Sequence, residues 1–134
     1  MAETVVLCKE GTINSYLSAL IVATNMKKAG GDVCVVFMQE GLAALVDETY
    51  RFDPGLEGYA ADIKKNAADM GVSSDPMGLV KMASGAGVPL FACYAWTKLL
   101  GGKPPSFDLP AGLEKLELKD LVEELGKADR VITL

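Results

Sequence analysis

The apolar positions change period along the chain, and those changes divide it into elements. Thr4–Cys8 (TVVLC) is a short β-branched run that predicts a first strand. Over Thr12–Lys28, Ile13, Leu17, Leu20, Ile21 and Thr24 fall at steps of three and four, the spacing of one helix face. Thr12 or Asn14 can cap the start of this helix, and Gly30-Gly31 can end it. Asp32–Met38 (DVCVVFM) is apolar at nearly every position. Such a run predicts a strand buried on both faces, as in a parallel sheet covered by helices. Strand, helix and strand over so short a span make a βαβ unit, whose crossover is almost always right-handed.

The same reading continues to the C-terminus. Gln39–Leu45 predicts a short helix, Val46–Pro54 a charged irregular stretch, and Leu56–Met70 a helix ended by Gly71. Ser74 or Asp75 can cap a helix over Pro76–Ser84, with Pro76 suited to its first turn. Val88–Cys93 (VPLFAC) reads as a third strand, Tyr94–Leu100 as the helix after it and Gly101–Pro105 as a loop. Leu109–Glu117 is ambiguous and partly extended. Leu118–Leu125 predicts a helix ended by Gly126, and Arg130–Leu134 (RVITL) a final strand. The fold class expected is α/β: one domain over 1–134, a three-layer sandwich with helices on both faces of a mainly parallel sheet of four or five strands. Val33–Phe37, Pro89–Ala92 and Val131–Thr133 are expected as buried strands of that sheet, with Cys34 inside it.

Composition narrows the function classes. The chain has 134 residues, about one ordinary domain, and half of them are hydrophobic. Its mean hydropathy of +0.24 is high for a small domain, which points to apolar surface shared between subunits. Thirteen basic against eighteen acidic residues give a net charge of −5, with no dense Lys/Arg cluster, so no nucleic-acid partner is expected. The longest apolar stretch is the nine residues Val88–Trp96, against about 20 for a membrane span. The N-terminal MAETVVLCKE lacks the basic region of a signal peptide, and the expected location is cytoplasmic.

The candidate chemistry is that of thiols. There is no histidine, which removes every scheme that needs imidazole. Cys8, Cys34 and Cys93 lie far apart with no CxxC pair, so free thiols are expected, and no metal site. Cys93 closes a strand and opens a helix. In open α/β sheets the functional crevice lies beyond the carboxyl ends of the strands. A helix start presents free N–H groups that favour the thiolate, the nucleophilic form. The other reading of Cys93 is a small buried hydrophobe. Cys8 also ends a strand and is the second candidate, facing the same crevice if the first and third strands are close. Cys34 is expected in the core. Gly11, Thr12, Gln39, Gly41, Tyr94 and Trp96 are the expected pocket residues, with Cys93 partly reachable from it. Gly85 and Gly87 close a helix before a strand, the reverse of a dinucleotide loop, and read as turn glycines. Glu114, Glu117, Asp120, Glu123 and Glu124 read as a solvated helix face, and Met70, Met77 and Met82 as core or subunit contact.

Taken in order, these segments resemble the DsrE/DsrF-like family of small sulfur-relay proteins. The resemblance runs from the first strand through YLSALIVATNMKKAGGDV, VCVVFMQEGLAAL and VPLFACYAWTKLLG to the tail LKDLVEELGKADRVITL. It implies a homotrimer or homohexamer in which Cys93 carries sulfane sulfur as a persulfide between donor and acceptor proteins, without a cofactor. Tyr94, Ala95 and Trp96 stand where many members have small or polar residues, and Val46–Ser74 is a long segment able to cover the site. The alternative of a different class is a non-catalytic small-ligand-binding or assembly module of the same fold, with a flavin-binding role less favoured because no Ser/Thr-rich phosphate loop follows the first strand.

Overall fold

A computed structural model describes residues 2–101 and 109–134. The first strand, β1 (Thr4–Cys8), leads through α1 (Ile13–Lys28) to β2 (Val33–Phe37) and α2 (Gln39–Asp47). A 3-10 turn (Pro54–Tyr59), α3 (Ala60–Asp69) and α4 (Pro76–Gly85) follow. The chain then forms β3 (Leu90–Cys93), α5 (Tyr94–Leu99), β4 (Leu113–Leu116), α6 (Leu118–Lys127) and β5 (Arg130–Thr133). The five strands form one sheet in the order β4-β3-β2-β1-β5, and every pairing is parallel. Among the described residues, no helix is long and apolar enough to cross a membrane.

Register partners in a parallel sheet share a face, so the pleat sorts the core into two clusters. Val6, Cys8, Val35, Phe37, Leu90 and Ala92 meet Tyr16 and Leu20 of α1, Leu42 and Leu45 of α2, and Leu79 and Ala83 of α4. On the other face Val5, Cys34, Val36, Cys93 and Leu116 meet Leu121 of α6. The sandwich is therefore three-layered, with three helices against one face and α6 against the other. The central β2 is buried at all five positions, as its continuous apolar run predicts.

Local signals account for most element ends. Thr12 caps α1, its Oγ1 accepting from the Ser15 N–H at 3.2 Å. Thr12→Ala should cost about 1 kcal/mol in denaturant unfolding; a change below experimental error would show that water replaces the cap. After α1, Gly30 takes φ +89°, the left-handed turn that glycine adopts without strain.

Four expectations need correction. The helix expected over Leu56–Met70 is split, because Asp53 Oδ1 accepts from Gly55 N–H and Pro54 starts a tight 3-10 turn before α3. Gly126 does not end α6, which runs on to Lys127, since only a change of backbone conformation stops a helix and that comes at Ala128. Glu114 is on β4 and not on a helix face. Val131–Thr133 is not buried: β5 is an edge strand, with Arg130, Val131 and Thr133 exposed. The loop expected at Gly101–Pro105 lies outside the described residues beyond Gly101. Met77 and Met82 pack against the larger cluster, whereas Met70 is exposed.

Candidate functional site

Cys93 is the last residue of β3 and the N-cap of α5, the junction its sequence position implies. Its backbone is extended (φ −63°, ψ 113°), and no side chain caps the helix there. Its carbonyl accepts from Thr97 Oγ1 at 3.3 Å. The thiol is not reachable in the way expected, for Cys93 is only 3% exposed. It shares a buried cluster with Met38, Leu116 and Leu121, side chains that arrive from the N-cap of α2, from β4 and from α6. Leu116 lies directly beside it through the β3–β4 register.

Cys8 also ends its strand, but it does not share a crevice with Cys93. Across the sheet, Cys8 is level with Phe37, and Phe37 with Ala92. Cys93 is one residue further, so the pleat turns it to the opposite face. The two thiols accordingly belong to different clusters. Burial, aided by the Glu10 carboxylate, pushes the Cys8 thiol from its ordinary 9.0 up to about 12. Burial also raises Cys34 to about 11, with Glu124 and Asp32 adding to the effect. All three cysteines are free.

The glycines expected around the thiol have a different role. The end of β1 passes over the start of α2, and Cys8 O and Lys9 O accept from the N–H groups of Met38 (3.1 Å) and Gly41 (2.9 Å). A Cβ on Gly41 would overlap the Cys8 carbonyl oxygen, so only glycine permits this approach. From α1, the buried Tyr16 donates its hydroxyl to Gly41 O at 2.6 Å, and its ring meets Phe37 and Tyr50. Gln39 holds φ +52° at the first residue of α2. Gly11 closes against Glu40 and Ala44 and, with Ala43, Thr49 and Arg51, lines a surface cavity of about 140 Å³ whose lining does not include Cys93. Thr12 bridges to Arg51. Gly11, Thr12 and Gly41 thus build the β1–α1–α2 corner.

Tyr94 and Trp96 do lie beside the thiol in the chain. Trp96 packs against both clusters at the rim of the sheet. The Tyr94 ring carries two ammonium groups, Lys98 Nζ at 4.6 Å and Lys115 Nζ at 5.2 Å from its centroid. The sequence reading missed these lysines. Lys98 is legible in retrospect, one helical turn after Tyr94. Lys115 is not, since it arrives only through the β3–β4 register, level with Ala92. The result is a pair of lysines gathered on the Tyr94 ring at the start of α5.

No protein-family model and no curated protein sequence matches the chain. Among solved structures it is similar to the ychN protein from E. coli, with 19% identity, all of both chains covered and a TM-score of 0.65. At that identity the likeness shows the fold alone, which in this chain is a five-stranded parallel α/β sandwich.

Proposed function

We propose that the protein is a sulfur carrier that passes sulfane sulfur through a persulfide on Cys93. The observation that carries this reading is the position of Cys93 at a strand end and helix start. A thiolate is the nucleophile in sulfur exchange, and a helix start presents free N–H groups of the kind a thiolate prefers. The sequence resemblance to the DsrE/DsrF-like family and the fold shared with the ychN protein support the same choice.

In the forward step the Cys93 thiolate attacks the outer sulfur of a donor persulfide. The donor S–S bond breaks, its electron pair leaves on the donor thiolate, and Cys93–S–SH forms. An acceptor thiolate then attacks the outer sulfur, and Cys93 leaves as thiolate, so the cycle needs no external oxidant or reductant. No cofactor enters it. Donor and acceptor reach the sulfur through local opening of the cover over Cys93, to which α6 contributes Leu121 and α5 contributes Ala95 and Trp96. The working form is a homotrimer or homohexamer, whose contacts cover apolar surface left open on the single chain.

Whole-protein mass spectrometry after incubation with a persulfide donor tests the proposal. The wild type should gain about 32 Da, one sulfur atom, and Cys93→Ser should gain none while Cys8→Ser and Cys34→Ser still do. A gain that survives Cys93→Ser and vanishes in Cys8→Ser would move the chemistry to Cys8. If no thiol accepts sulfur, the small-ligand-binding or assembly module replaces this reading.

A further inference from the structure

The two faces of the sheet are covered unequally, and the imbalance lies at α6. Three helices close the first face, whereas on the second the helical cover among the described residues comes from Leu121 and Leu125 of α6 with Ala95 and Trp96. Leu118, Leu121, Val122 and Leu125 follow the spacing of a single apolar stripe. Only Leu121 is fully buried, and Leu118 and Val122 remain 56% and 61% exposed. Val131 on the adjoining edge strand is 47% exposed, and its register partner Val5 belongs to this same face. A stripe that is half spent on its own sheet leaves an apolar ridge in water.

The charges beside this ridge indicate what covers it. Lys119 and Glu123, both exposed, form the next row, one helical turn apart like Leu118 and Val122. A helix laid antiparallel against α6 and identical to it brings unlike groups together in both rows. Leu118 then meets the partner's Val122, and Lys119 meets the partner's Glu123, each contact made twice. A parallel copy would instead oppose lysine to lysine and glutamate to glutamate. We infer that α6 is a self-association surface on which a second copy of the chain packs its own α6 antiparallel, about a two-fold axis beside residues 120–121. Such an isologous contact closes on itself. It stands independently of the sulfur chemistry and adds to the assembly a two-fold contact and its register. Ten residues of helix span about 15 Å, so the contact is at the small end for specific association.

Sedimentation and light scattering across a dilution series test this on the intact protein. The wild type should show a particle of an even number of 14.1 kDa chains that halves on dilution. Lys119→Glu and Glu123→Lys each create two like-charge contacts per interface and should raise the dissociation constant of that step about tenfold or more. The double variant K119E/E123K restores unlike pairing and should return to within about threefold of the wild type. These are exposed helix positions, so folding should be unchanged by circular dichroism. A wild-type particle that has one or three chains even at the highest concentration, single variants that associate like the wild type, or a double variant that stays dissociated would each overturn the inference.

Discussion

Raising the pH above 9 should unfold this protein progressively, even though its net charge is already negative. The cause lies in thiols and phenols that the fold buries. The native state holds Cys8 protonated up to about 12 and Cys34 up to about 11, against the ordinary thiol value of 9.0 in an unfolded chain. Burial also pushes Tyr50 up to about 12 and raises Tyr16 further. Each group therefore binds its proton more tightly when folded. Its stabilising effect is whole below pH 9 for the thiols, and below 10 for the phenols, and is lost as pH rises towards the folded values. For the fully buried Cys8 the loss is about 1.4 kcal/mol per pH unit over that window. Cys34 acts in the same direction up to about 11. Against a total stability of roughly 5–15 kcal/mol, this should shift the midpoint visibly within two pH units. Urea unfolding between pH 9 and 11 should show the decline, and Cys8→Ala should flatten it. An equal slope in that variant would show that Cys8 is not the group responsible.

Gly41→Ala should be among the most damaging single substitutions of a small residue. The added Cβ would overlap the Cys8 carbonyl oxygen and stand 3.0 Å from its carbonyl carbon and 3.2 Å from that of Lys9. These are backbone atoms that no rotamer change can move. They are also held by the N–H groups of Met38 and Gly41 itself, and Gly41 O is the acceptor for the buried Tyr16 hydroxyl. Relief requires α2 to separate from β1, which strains all three hydrogen bonds together. Overpacking of this kind costs about 3 kcal/mol. Gly85→Ala, where nothing lies within 4 Å of the new methyl, should instead be neutral or stabilise by about 0.5 kcal/mol. Denaturant midpoints moving in the same direction for both variants would contradict this account.

How far the sequence alone reaches can be judged from particular residues. The β-branched run Thr4–Cys8 and the apolar run through Val33–Phe37 mark their strands almost to the residue, because backbone preference and burial on both faces are local properties of those side chains. Thr12 as a cap and Cys93 as a strand-to-helix junction were legible for the same reason. The burial of β5 was not. RVITL carries the same apolar signal as an inner strand, and only the strand order puts it at an edge. Lys115 reaches Tyr94 through a register between strands that no local pattern encodes. The relation between the thiols depends on the same register. Cys8 and Cys93 both end strands, but one residue of offset across the sheet sends them to opposite faces, since a pleated strand alternates its side chains at every step. Local patterning thus determined which segments are strands and helices and where each thiol falls along them. Pairing order and register, set by long-range packing, decided which thiol is covered by what.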